Sequence, residues 1–163
     1  MNTLEKTLAH VVREDLARYK DHVNGCSKDA LYEQGVSHLD EGNLYKAKVA
    51  FEMLLKEEGP DSLPGLVVPL ISSEMDLDRY GDRHDIVEKS AELSIYAMTE
   101  STDMYSKHDI SLDELLLVER MVDRVSETLR ESRLRSRDEY NKFYLRFKNY
   151  VIDNYVFERS AKV

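Results

Sequence analysis

The chain has a single cysteine, Cys26. A lone thiol forms no internal disulfide, so the disulfide framework of a small secreted domain is excluded. Cys26 sits in Asn24-Gly25-Cys26-Ser27, which reads as a turn, and no signature of an activating base accompanies it. Long apolar runs are also lacking. The longest, Leu66-Val67-Val68-Pro69-Leu70-Ile71, is interrupted by proline and falls well short of the roughly 18 residues of a membrane span. Mixed charge at Met1–Lys6 and no apolar stretch behind it argue against a secretory signal, so cytoplasmic residence is the expectation. Glycine and proline number only 6 and 3, and neither occurs after Gly81. Strand-rich folds need frequent turn residues, so this scarcity favours helices joined by short turns.

What remains suits a folded helical domain. The 163 residues fit one domain on the usual scale of roughly 100–200, so 1–163 reads as a single helical domain. Apolar residues make up 42% and charged residues 34%, which separates the chain from disordered sequences. The net charge of −9 disfavours general nucleic-acid or anionic-membrane binding. Charge is uneven along the chain. Residues 1–129 hold 14 Lys and Arg against 27 Asp and Glu, whereas residues 130–150 hold 7 against 3.

Periodicity places about seven helices. Leu4, Leu8, Val11, Val12, Leu16, Tyr19 and Val23 recur at three- and four-residue steps and predict an amphipathic helix over 3–23. Asn24-Gly25 is its expected stop. Ser27 is a fair N-cap for a second helix reaching about Glu41. A third covers about Leu44–Glu57, with Ala47, Ala50, Phe51, Leu54 and Leu55 inward, and ends at Gly59-Pro60. A fourth is expected from Ser62 to about Arg79, where Pro69 threatens a kink or a late start. A fifth runs to about Glu100 on Ile86, Val87, Ala91, Leu93, Ile95 and Ala97. The polar stretch 101–110 reads as a loop. Ser111-Leu112-Asp113-Glu114 is a capping box that opens a sixth helix on Leu115, Leu116, Val118, Met121, Val122, Val125 and Leu129. Ser136-Arg137-Asp138-Glu139 suggests a second box, a break there, and a seventh helix to about Glu158, making 111–158 a C-terminal hairpin.

Residues 28–60 carry the most specific pattern. Leu31 is a large apolar residue, Gly35 is small, Gly42 marks the turn, Ala47 is small, Phe51 is aromatic, Leu54 is apolar and Pro60 terminates. This resembles the tetratricopeptide repeat, a 34-residue helix–turn–helix unit. A fainter second copy spans 62–100, with Gly81 as its turn. It departs from the pattern where Glu74 stands at the small place and Ser90 at the aromatic place, and its turn follows Gly42 by 39 residues. The order of elements, the length and the acidity also resemble the tetratricopeptide-type chaperones of type III secretion. The resemblance implies an all-α fold, a short right-handed stack of helical hairpins in which Phe51 fills the wedge towards the next pair. It also implies an adaptor or chaperone-like role, holding a partner protein's segment in an apolar groove. The inner face of such a stack falls on Asp29, Tyr32, Val36 and Leu39 in the first repeat and on Val68, Ile71, Met75 and Arg79 in the second. Tyr32 and Val36 occupy two places where some members of the family carry a carboxylate clamp. Burial of these apolar residues under the N-terminal helix is the alternative.

Other constellations support less chemistry. Arg130, Arg133, Arg135, Arg137, Lys142 and Arg146 form a basic segment interleaved with Tyr140, Phe143, Tyr144, Phe147 and Tyr150. Arginine beside aromatics can bind phosphate and stack bases, but the three- and four-residue spacing of the rings equally describes a core stripe. His84 with Asp82 and Asp85 is the nearest approach to a metal set, better explained as an exposed helix start. No phosphate loop or nucleophile elbow occurs. The expectation is a binding protein rather than an enzyme, with no cofactor and no metal. A self-associating structural subunit, a homodimer for instance, and a nucleic-acid-associated regulator are the alternatives.

Overall fold

The computed structural model describes residues 2–81 and 83–131, with the side chain of Glu131 excepted. Helix is the only regular structure among the described residues. Six helices follow in order: α1 Thr3–Val23, α2 Lys28–Asp40, α3 Leu44–Glu58, α4 Leu63–Tyr80, α5 His84–Ser106 and α6 Leu112–Glu131. The predicted helix over 136–158 and the expected break before it lie outside the described residues.

Local chemistry explains where these helices start. At α1, Glu5 N–H donates to Asn2 Oδ1 (2.8 Å) and Asn2 N–H donates to Glu5 Oε2 (3.2 Å). The box predicted at Ser111 closes in the same way. Glu114 N–H donates to Ser111 Oγ (3.2 Å) and Ser111 N–H donates to Glu114 Oε1 (3.1 Å). Ser27 Oγ accepts from Ala30 N–H and Asn43 Oδ1 accepts from Lys46 N–H, each at 3.2 Å. Each cap satisfies an amide that the first helical turn would orphan, a contribution of about 1 kcal/mol. Gly42, with φ of 79°, takes the left-handed conformation that the tight turn between α2 and α3 requires.

Two expectations about element bounds are corrected. Residues 101–106 are not loop: α5 continues to Ser106. Their polarity misleads because a helix can take up a hydroxyl on its own backbone: Ser101 Oγ donates to Met98 O at 3.2 Å. Ser101, Thr102 and Met104 are buried, and the chain turns only at Lys107 and His108, whose φ is 63°. Pro69 neither delays nor ends α4, which starts at Leu63 and runs through it.

The chain divides into two units, residues 1–68 and 69–163, with the boundary inside α4. In the first, α3 packs on α2 and on α1. Leu31, Leu39, Ala47, Ala50, Phe51 and Leu54 are buried. Gly35 brings the two helices of the pair together: a Cβ there would lie 2.5 Å from Phe51 Cε2. Phe51 therefore stacks within its own pair, directly over Gly35, with its ring edge-on to Tyr32 at 6.3 Å. Gly65 plays a similar part at the start of α4, where a Cβ would run into the Pro60 carbonyl oxygen.

The buried positions of α1 fall in its C-terminal half. Tyr19 and Val23 are buried, Lys46 sits 5.5 Å above the Tyr19 ring, and the same ammonium pairs with Asp15 at 3.3 Å. Tyr19 also meets the His38 ring edge-on at 4.9 Å, and its hydroxyl donates to Gln34 Oε1 at 3.2 Å. Burial, with Cys26 and then Glu41 adding negative charge, pushes the Tyr19 phenol up from its ordinary 10.0 to about 12. The folded protein thus holds this proton more tightly than the unfolded chain does. The contribution is complete below the unfolded value and is lost as pH rises through about 12. Tyr19→Phe should cost about 1 kcal/mol near neutrality, for the lost hydrogen bond, and should flatten the alkaline loss of stability. Urea unfolding of both proteins across the alkaline range checks this; an unchanged alkaline slope in the variant contradicts it.

In the second unit α5 packs against α6. The predicted stripe of α6 holds: Leu115, Val118, Met121, Val122, Val125 and Leu129 are buried, and Leu116 is half-buried. On α4, Leu70, Ile71 and Leu77 are buried, as are Val87, Ala91, Ala97 and Met98 on α5. A cross-link of opposite charge ties α4 to α6: Arg124 Nε donates to Glu74 Oε2 at 3.1 Å and Oε1 at 3.3 Å.

Candidate binding groove

Burial sorts the residues predicted to contact a partner. Leu39, Val68 and Ile71 lie in the interior, with 1%, 9% and 0% of their surface exposed. In this conformation they have almost no surface to offer a partner, and the reason is periodicity. An apolar residue at a helical step satisfies a core and a groove equally well, and here burial claims it. Tyr32, Val36 and Met75 are half-buried and Arg79 is exposed, its guanidinium 5.7 Å from the Tyr80 ring. Tyr32, Val36, Leu39 and Val68 belong to the first unit; Ile71, Met75 and Arg79 belong to the second.

Of the predicted anion-binding set, Arg130 is exposed and lies 3.6 Å from Glu127. Arg133, Arg135, Arg137, Lys142 and Arg146 lie outside the described residues, and so does Asp82 of the weak metal set. Asp85 is engaged by Arg83 at 2.8 Å. Among the described residues no cluster of three His, Cys, Asp or Glu side chains could hold a metal ion. None of the described helices is long and apolar enough to cross a membrane.

The second unit contains a groove that sequence reasoning did not assign. It lies between the C-terminal part of α4 and the N-terminal half of α5 and encloses about 400 Å³. Pro69, Ser72, Ser73 and Asp76 line it from α4; Ile86, Lys89, Ser90, Glu92, Leu93 and Tyr96 line it from α5. Nine residues after its turn glycine, the first hairpin has Phe51 and the second has Ser90. Phe51 fills the slot above Gly35. Ser90 is buried, and Ser73 Oγ donates to Ser90 Oγ at 2.6 Å. Ser94 Oγ donates to the Ser90 carbonyl at 2.9 Å, so the buried hydroxyls at the floor satisfy one another and the helix backbone. Two small side chains thus lie against each other at the floor of the groove. Ile86 and Leu93 are half-buried on its wall, and Tyr96 is 57% exposed at its mouth. The sequence marks Ser90 only as a departure from the repeat-like spacing.

A second surface is left uncovered on α1. Leu4, Leu8, Val11 and Val12 are 66%, 56%, 52% and 46% exposed, although they continue the stripe that Tyr19 and Val23 bury.

No family model, curated protein or solved structure matches this chain.

Proposed function

We propose that the protein is a non-enzymatic binding module, built on tetratricopeptide-like helical hairpins, that holds a segment of another protein in the groove between α4 and α5. The groove itself carries the reading. It combines half-buried aliphatic walls, an exposed tyrosine and polar groups at its edge, the usual makeup of a site that anchors a few side chains of a peptide. The hairpin reading is supported by Gly35, Gly42 and Phe51, which take the close-approach, turn and stacking places of such a unit. The arrangement offers a partner shape and apolar surface.

A photo-crosslinking amino acid placed at Tyr96 should yield a discrete adduct with another protein in cells. The same group at the exposed Tyr45, in the first unit, is the control. Identical adduct patterns from the two positions, or none from position 96, would overturn the groove reading.

The bare stripe of α1 supports a second reading, self-association through that helix. Four neighbouring apolar side chains exposed on one helix face are a common mark of a protein contact. On this reading wild-type protein sediments as a dimer, and Leu8→Glu with Val11→Glu converts it to monomer without loss of helix content. Sedimentation as a monomer at high concentration would dismiss it.

A further inference from the structure

The chemistry around the groove points to the kind of segment it takes, an inference that rests on the binding reading above. The walls are apolar, from Ile86, Leu93 and Tyr96. The edge is acidic: Asp76 comes from α4 and Glu92 from α5, and Lys89 is the one cation among the described lining residues. The stretch of chain that supplies both walls is acidic in composition as well. Residues 69–106 hold nine carboxylates against three cations, a net of −6. One of those cations, Arg83, is committed to Asp85. An acidic border around an apolar slot attracts lysine and arginine and repels carboxylates, so it selects among segments of equal apolar content.

We infer that the occupant is a basic amphipathic segment of another protein, with apolar side chains at three- and four-residue steps and lysine or arginine between them. A neutral apolar segment would leave Asp76 and Glu92 without a role in recognition. The body of a second copy, residues 1–129 with 14 basic against 27 acidic residues, would be repelled by this surface; its basic segment 130–150 would not be, and sedimentation separates that outcome.

The test uses the full-length protein and three short, fluorescently labelled helical peptides. All share one leucine stripe, and the remaining positions are lysine, glutamine or glutamate. Anisotropy at low salt should show the lysine peptide binding about tenfold more tightly than the glutamine peptide, a difference of about 1.4 kcal/mol. The glutamate peptide should not bind. The preference should vanish at about 1 M salt, where the screening length falls to about 3 Å. Asp76→Lys with Glu92→Lys changes two exposed side chains and should reverse the preference; Tyr96→Ala should weaken the lysine and glutamine peptides alike. Equal binding of these two peptides, both weakened by Tyr96→Ala, overturns the basic-segment inference and leaves the groove reading standing. A lysine preference untouched by the charge reversal also overturns it, because the attraction is then to the acidic surface at large. Binding of no peptide, or binding indifferent to Tyr96→Ala, removes the groove reading itself. Sedimentation of a self-associated species that the charge reversal dissociates would make a second copy the occupant and overturn the inference.

Discussion

Truncating Phe51 to alanine is expected to destabilise the first unit by about 3–5 kcal/mol, the usual cost of removing a buried phenylalanine ring. The ring is fully buried and stands over Gly35, which has no side chain of its own to fill the space. A loss of that size is a large part of the roughly 5–15 kcal/mol that holds a domain together. The reciprocal change sharpens the argument. Gly35→Ala adds about 1 kcal/mol of helix propensity but sets a Cβ 2.5 Å from Phe51 Cε2. Overpacking costs about 1–3 kcal/mol, and a ring with no exposed surface has nowhere to swing, so the clash outweighs the propensity. The net expectation is a loss of up to about 2 kcal/mol. Combining Gly35→Ala with Phe51→Leu should recover part of it, since the two sites touch. Urea unfolding of the four proteins supplies the cycle. A stabilised Gly35→Ala, or strict additivity, would show that the close approach of α2 and α3 does not rest on this pair.

The second large effect is expected at the Glu74–Arg124 pair. Arg124→Met should cost about 2 kcal/mol, because it takes the guanidinium away from a carboxylate whose side chain is only 12% exposed. The figure lies below the range for a fully buried pair, since the Arg124 side chain is 31% exposed and water can reach the site. The double variant Glu74→Met with Arg124→Met should return close to wild-type stability, because two apolar side chains need no charge compensation. Thermal unfolding of single and double variants decides this. A double variant as unstable as Arg124→Met would mean that the arginine stabilises through contacts other than the carboxylate.

Glu74 shows how much the repeat-like pattern could convey. Its place in the spacing corresponds to Gly35, and against that pattern it reads only as an error. In the fold it reaches α6 and holds Arg124. Ser90 is the same kind of departure, and it lines the groove. The lining was not legible because Ile86 and Leu93 fall at helical steps, and periodicity assigned them to the interior along with Val87 and Ala91. Likewise Leu4, Leu8, Val11 and Val12 belong to one continuous stripe with Tyr19 and Val23. No property of their spacing marks where along α1 the packing stops.

The sequence by itself determined the helical class, the caps at Ser27 and Ser111, the turn at Gly42, the inward face of α6 and the near approach of Gly35 to its partner helix. These are local: a cap needs three residues, a stripe needs a period, and a turn needs one glycine. Tertiary structure decided what is buried and what is bare. It enclosed Leu39 and Ile71, left the first half of α1 uncovered, carried α5 through the polar residues 101–106 and set Ser73 against Ser90. Each of those outcomes depends on which element lies across from a residue, and an apolar side chain has the same transfer free energy whatever covers it.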